Sequence, residues 1–597
     1  MTTSDDMQNA ASQQMRDNIA KIEALTQRMI AAISRRKTIN PALEGPGADL
    51  YLSASAAFVK EIADNPARVF EAQVNFWGQA MRHYVEATHI LAQGALKPPA
   101  DPGPADPRFT NPLWDSHPYF NFIKQQYLIS SQAIHDAVSQ VEGLDDTNRK
   151  RLDYFAKQIV DMMAPTNFLA TNPDALERAV ATEGESLVRG LENLVRDIEE
   201  NGGNLLVTLA DRNAFKVGEN IGTAAGAVVY RNRLFELIQY TPTTEKAHRV
   251  PLLIFPPWIN KFYILDLKPA NSLIRWLVDQ GYTLFVVSWK NPDPSYADVG
   301  LDTYVEEGFL TAIEQVKRIS GEKKINTLGY CIAGTTLALT LALLAKRKDR
   351  SVASATFLTT LTDFSDQGEF TAFLQDDFLA GIEAQVQLDG VLSSYFMSRT
   401  FSFLRANDLI YKPAIRSYMM GEAPPAFDLL YWNGDATNLP ARMARDYLRG
   451  LCQQDLFSTT GFSLLGETLK VSDITVPLLA VACETDHIAP WRASFAGIAR
   501  MGSADKTFVL SESGHIAGIV NPPSKRKYGH YTADAPVDVA DDWKAAAVRN
   551  EGSWWPLWGD WLAKRSGAMV AARHPGDADH PPILPAPGAY VAEVVKV

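Results

Sequence analysis

The chain has 597 residues but only three cysteines, Cys331, Cys452 and Cys483. So sparse and odd a set is no disulfide framework. None stands in CxxC spacing, which argues against a cysteine-based zinc site, and the set fits a reducing, cytosolic compartment. No run of about 18 apolar residues offers a membrane span. The N-terminal stretch MTTSDDMQNAASQQMRDN lacks the basic-then-apolar order of a secretory signal. Positive charge is in deficit: 57 Lys and Arg against 69 Asp and Glu leave a formal net charge of −12. Nucleic acid or an anionic membrane is therefore not expected as the main partner, although a local basic patch could still meet a phosphorylated ligand. No internal repeat is visible. What remains is a composition 46% hydrophobic, which is globular rather than disordered, in a chain long enough for two or more cores.

The order of patterns along the chain implies two parts. Residues 1–45 are polar and expected to be poorly ordered, apart from a helix around Ile19 to Ile33. A stronger helix follows Asn65 and Pro66, with Phe70, Val74, Trp77, Met81 and Tyr84 at helical spacing. That stripe reads first as ordinary packing. A stiff proline-rich break occupies 96–109. Helical patterning resumes from Phe122 to Ile198, interrupted by APTNFLATNP (164–173), and ENGGN (200–204) forms a turn cluster. A helical N-terminal domain is expected over 1–205.

Beyond it the rhythm changes. VPLLIFPPW (250–258), YTLFVVSW (282–289), KINTLGY (324–330), SVASATFLTT (351–360), VPLLAVACE (476–484) and KTFVLSES (506–513) are short β-branched runs. Helical patterns separate them, which implies βαβ units and a mostly parallel sheet buried on both faces. The interval 361–474 shows no clean strand and reads as an inserted helical cap. The expectation is an α/β catalytic domain over 206–597.

Chemistry concentrates at TLGYCIAGTTLALT (327–340). Lys324 to Tyr330 read as a strand and Thr335 to Ala345 as a helix, with Cys331 at the turn between them. A sharp strand-to-helix turn among small residues is the build of a nucleophile elbow; the plain alternative is a buried cysteine at a tight turn. A nucleophile needs a base, and the base an orienting group. Asp486 follows one predicted strand and His515 the next, so the chain order is nucleophile, acid, histidine. Asp486 alone could be a turn-former. His487 competes with His515 as the base, but it directly follows the acid, so their side chains should diverge. Acyl transfer also needs donors for a developing oxyanion. The N–H of Ile332, next after the cysteine, is one candidate; Ile259 or its neighbour, in FPPWINKFYILDL (255–267), is the second. A helix N-terminus and a histidine partner both favour the reactive thiolate. A cysteine suits a thioester substrate, because exchange of one sulfur for another keeps the acyl group activated. The tail EGSWWPLWGDWLAKR (551–565), with four tryptophans, reads first as core packing and second as a polymer-contact surface.

The blocks GYCIAGT, ETDHIAPW and SGHIAG resemble the three catalytic blocks of polyhydroxyalkanoate synthases. PPWINKFYILDL, FTNPLWDSHPYFNFIKQQYL, APTNFLATNP and LLYWNGDATNLP resemble further blocks of that family, and the likeness runs from about residue 108 to the C-terminus. With the chain length it points to class I, which acts on short-chain monomers without a second catalytic subunit. The resemblance implies an α/β-hydrolase fold and polymerisation of (R)-3-hydroxyacyl-CoA, with 3-hydroxybutyryl-CoA as the expected monomer, into polyester with release of CoA. Carried over, Cys331 is the nucleophile that holds the chain as a thioester and His515 the general base. Asp486 orients His515 or activates the substrate's 3-hydroxyl; both roles stay open. No metal or redox cofactor is implied, CoA being part of the substrate and a product. The resemblance further implies a cytoplasmic homodimer at the surface of polyester granules and a mobile cap gating the site. One departure is that the family expects glycine two residues after the cysteine, where this chain has Ala333 followed by Gly334. The competing readings are an acyl-CoA thioesterase or polyester depolymerase of the same fold, and a non-catalytic granule-binding protein.

Overall fold

The computed structural model describes residues 4–35, 101 and 105–594. The stripe at Phe70, Val74, Trp77, Met81 and Tyr84 and most of the proline-rich break lie outside the described residues. The chain divides into two compact units, Met1–Asp211 with Arg399–Pro425, and Arg212–Ser398 with Ala426–Val597.

The first unit is helical. A helix at Ser4–Ile33 starts well before the expected one, and Pro118–Ser139, Asp146–Met162, Pro173–Ala181 and Glu185–Glu200 follow. Asp145 and Asn172 accept main-chain hydrogen bonds from Asn148 and Ala175, which caps two of them. The 164–173 interruption is two short 3₁₀ turns. Leu25 packs with Val188 and Val195, and Arg28 pairs with Glu199. Arg399–Pro425, read from the sequence as cap, contributes Tyr418, whose hydroxyl donates to the fully buried Asp197 at 2.7 Å.

The second unit is built on a twelve-stranded sheet. Its first strands are β1 (Gly226–Arg231), β2 (Phe235–Tyr240), β3 (Lys246–Phe255), β4 (Tyr282–Trp289), β5 (Ile325–Tyr330) and β6 (Val352–Leu358). The expected strandless interval holds two small ribbons: β7 (Val391–Leu392) pairs β8 (Leu439–Pro440), and β9 (Phe462–Leu464) pairs β10 (Glu467–Leu469). These strands are two or three residues long, too short for periodicity to register. The sheet resumes with β11 (Leu478–Cys483), β12 (Lys506–Ser511), β13 (His530–Thr532), β14 (Val548–Asn550), β15 (Met569–Ala571) and β16 (Leu584–Pro585).

All six sequence-predicted strands form, and they are parallel neighbours in the order β12-β11-β6-β5-β3-β4. The antiparallel flanks were not anticipated. In β2 the buried Glu236 and Gln239 break the apolar run that marks its neighbours. Glu236 is satisfied by Arg231 and by the main-chain N–H groups of Ala589 and Tyr590, contacts that no local pattern encodes.

Register aligns the strand ends. Phe255 is opposite Gly329, Tyr330 opposite Leu358, Leu358 opposite Val481, and Cys483 opposite Ser511. The loops that follow these strands therefore share one edge of the sheet, where open α/β sheets bind ligands. Leu252, Ile254, Leu328, Tyr330, Val481 and Val509 alternate onto one face and pack against Trp554, Trp555 and Trp558.

Candidate active site

Cys331 stands between β5 and the helix Ile332–Lys346 with φ 55° and ψ −126°. A non-glycine residue in that region is strained, and such strain concentrates at functional turns. The sequence accommodates it with two glycines. A Cβ on Gly329 would lie 2.6 Å from the Gly334 Cα, and one on Gly334 would collide with the Thr360 side chain. Strand and helix cross so closely that neither position admits a side chain. The close approach falls on Gly334, not on residue 333, so Ala333 sits buried in the helix without disturbing the crossing. The elbow is fastened by Cys331 N–H donating to the Leu358 carbonyl at 2.8 Å and by the Thr335 hydroxyl donating to Leu361 O at 2.7 Å.

The structure brings the three sequence-predicted side chains together. The buried His515 ring contacts Asp486 through Nδ1, 2.7 Å from Oδ2. Cys331 is near enough to the same ring to act on its charge. Burial alone favours the neutral imidazole, but the Asp486 charge, the Cys331 sulfur and their hydrogen bonds outweigh it, so His515 titrates well above its ordinary value. The other Asp486 oxygen, Oδ1, accepts from the main-chain N–H groups of Ile488 and Ala489 at 2.8 and 2.9 Å. His515, not the adjacent His487, is therefore the carboxylate's imidazole partner. With Nδ1 turned to Asp486, Nε2 is left to face the thiol, an arrangement suited to general-base activation of a nucleophile.

Ile332 opens the helix that follows Cys331, and Ile259 lies in the loop after β3. Among the described residues neither main-chain N–H has a hydrogen-bond acceptor, as an oxyanion donor requires.

Supporting residues surfaced only in the structure. The Tyr330 ring lies 5.9 Å from the His515 ring, 24° from parallel, and its hydroxyl donates to the His515 carbonyl at 3.2 Å. The Trp554 and Trp555 indoles donate to the carbonyls of Gly518 and Ile519 at 2.8 and 2.9 Å. These tryptophans, fully buried as core-forming residues, brace the loop that carries His515. Tyr447, from the cap interval, is held well above the ordinary tyrosine value by burial and by the nearby Cys452 and Cys331. Its ring meets that of Trp258 edge-on at 5.7 Å. A tetrad of tryptophans was visible in the sequence; its target was not, because a helix pattern carries no record of which carbonyls its indoles reach.

A family model described as the N-terminus of poly-beta-hydroxybutyrate polymerase (PhaC) matches residues 105–277, and one described as the alpha/beta hydrolase fold matches 251–522. The chain is 40% identical over 575 residues to a poly(3-hydroxyalkanoate) polymerase of Methylorubrum extorquens, covering 94% of each. It is also 40% identical over 523 residues to the poly(3-hydroxyalkanoate) polymerase subunit PhaC of Cupriavidus necator, covering 86% of this chain and 88% of that one. Among solved structures, a monoglyceride lipase variant of Saccharomyces cerevisiae matches at TM-score 0.35 and 12% identity, covering 59% of this chain and 99% of the lipase.

Proposed function

The chain belongs to the poly(3-hydroxyalkanoate) polymerase family, acyltransferases with the α/β-hydrolase fold, and on that premise we propose its substrate and covalent route. The monomer is an (R)-3-hydroxyacyl-CoA, with 3-hydroxybutyryl-CoA the expected one, and Cys331 carries the acyl group as a thioester. The observation that carries this reading is the Asp486–His515 pair at 2.7 Å, set beside Cys331 at its strained strand-to-helix turn.

The proposed cycle has two half-reactions. With its ring neutral, His515 takes the Cys331 proton on Nε2, and the thiolate attacks the thioester carbonyl. The main-chain N–H groups of Ile332 and Ile259 receive the oxyanion. The carbon–sulfur bond to CoA breaks, and CoA leaves with the proton held by His515. In the second half, a 3-hydroxyl gives its proton to His515 as its oxygen attacks the acyl-cysteine. An ester bond forms, the Cys331 sulfur leaves, and the proton returns to it. Atoms balance at each turn, and no cofactor is required.

Asp486 holds two main-chain N–H groups with one oxygen and His515 with the other. That supports the orienting role. The proposal extends to a homodimer on cytoplasmic polyester granules. Exposed Ile159, Met162, Met163 and Phe168 in the first unit support contact with an apolar surface. Among the described residues no helix is long and apolar enough to cross a membrane.

The test is incubation with radiolabelled 3-hydroxybutyryl-CoA, followed by peptide mapping and product analysis. Label on the Cys331 peptide with insoluble polyester and released CoA is expected. Label elsewhere would overturn the route, and free 3-hydroxybutyrate in place of polymer would make the protein a hydrolase.

A further inference from the structure

The segment WNGDATNLP (432–440) lies far in sequence from the three catalytic side chains, yet it grips the loop after β3. Thr437 Oγ1 donates to the Trp258 carbonyl at 3.0 Å, and Thr437 N–H donates to the Ile259 carbonyl at 3.2 Å. Both Thr437 and Trp258 are buried. The Trp258 carbonyl and the Ile259 N–H belong to one peptide unit. In a planar trans peptide these two groups point in opposite directions. Holding the carbonyl therefore fixes where the N–H points. A hydrogen bond at the oxygen also polarises the amide and strengthens the N–H as a donor.

The same segment anchors itself on both sides. Asp435 pairs with the buried Lys261 at 2.8 Å and accepts from the Tyr263 hydroxyl at 2.8 Å. Asn438 accepts from Ser394 N–H, and donates to Asn291 Oδ1 through its N–H and to Pro292 O through its side chain. On the far side of the loop, Trp258 Nε1 donates to Thr336 Oγ1 at 3.1 Å, and Thr336 donates to the Ile332 carbonyl at 3.2 Å. One hydrogen-bonded path thus joins Thr437, the Trp258–Ile259 peptide and the first turn of the nucleophile helix. That turn begins with Ile332, the other proposed donor.

We propose that Thr437 is a positioning residue for the reaction: its hydroxyl orients the Trp258–Ile259 peptide so that the Ile259 N–H meets the oxyanion formed at Cys331. The inference rests on the acyl-cysteine route given above. It assigns the cap a part in transition-state stabilisation as well as in covering the site.

The test compares Thr437→Val, which keeps the shape and the main-chain bond but loses the hydroxyl, with Thr437→Ser, which keeps it. Single-turnover acylation by 3-hydroxybutyryl-CoA, steady-state constants and Cys331 alkylation by iodoacetamide are measured on the full chain. Thr437→Val should slow acylation and kcat about 10- to 100-fold, a loss in the range of a misplaced oxyanion donor, with KM changed less than about twofold. Alkylation, which forms no oxyanion, should proceed at the wild-type rate, and Thr437→Ser should recover most of the acylation rate. Wild-type acylation by Thr437→Val would overturn the inference, as would equal losses in the two variants or a parallel loss of alkylation. Failure of the unmodified protein to acylate Cys331 would instead overturn the covalent route on which it rests.

Discussion

Asp486 Oδ2 lies 2.7 Å from His515 Nδ1 while the other carboxylate oxygen is held by two main-chain N–H groups. A carboxylate bonded at both oxygens is suited to setting the tautomer and tilt of the imidazole, the orienting role proposed above. In Asp486→Asn, the side-chain oxygen would stay with the Ile488 and Ala489 amides and the NH₂ would face Nδ1. The ring would then carry its proton on Nε2, the nitrogen needed as base. Acylation of Cys331 in a single turnover should fall on the order of 10³- to 10⁴-fold, as when a triad carboxylate is replaced by its amide. Normal acylation with arrested elongation would instead make Asp486 the activator of the 3-hydroxyl.

The His515 pair also sets a pH dependence of stability. Burial works against the charged ring, but Asp486 and Cys331 raise its value above that of an unfolded histidine. The folded state holds a proton that the unfolded state releases at about pH 6.5. The stabilisation is complete below that pH and is lost as pH rises through the raised folded value. Urea unfolding of the wild type and His515→Gln should show the largest gap near pH 6, narrowing toward alkaline pH. A gap that widened with pH would mean that the folded ring is neutral.

Trp555 lies fully buried with its indole donating to the Ile519 carbonyl, four residues beyond His515. Trp555→Phe keeps an aromatic ring but leaves that carbonyl without its donor. The cost should be about 1–3 kcal/mol of stability, the penalty for an unsatisfied buried polar group. If the bond also steadies the histidine loop, kcat should drop while KM holds. Chemical denaturation and steady-state kinetics on one variant read both effects.

The grouping of Cys331, Asp486 and His515 was legible because each follows its own apolar strand in the order this fold uses, and the elbow compresses strand, cysteine and small residues into fourteen positions. Main-chain donors have no residue signature, so Ile332 and Ile259 could be proposed only by analogy with the fold. Thr437 was less visible still. Its function depends on meeting Trp258, 179 residues earlier, and a threonine in a polar loop reads as a turn-former. The flanking strands escaped for a related reason. Glu236 in β2 is stabilised by main-chain groups 353 and 354 residues away, so the local sequence looks too polar to be buried.

The elbow itself makes the sharpest steric prediction. Gly329 and Gly334 face each other where strand meets helix, and Thr360 closes the space beside Gly334. A methyl at 334 would overlap the Thr360 hydroxyl and stand 2.8 and 2.9 Å from its Cγ2 and Cβ. Thr360 cannot simply turn aside, because its hydroxyl bonds the carbonyls of Cys331 and Leu358. Gly334→Ala should therefore cost about 1–3 kcal/mol through overpacking, and it should displace Cys331 enough to slow acylation. Adding Thr360→Ala removes the hydroxyl and Cγ2 but leaves Cβ, so the double variant should regain part of the stability and not all of it. Recovery beyond additivity, measured by a double-mutant cycle in urea, would trace the loss to this one contact; strictly additive effects would show that Thr360 is not what Gly334 avoids.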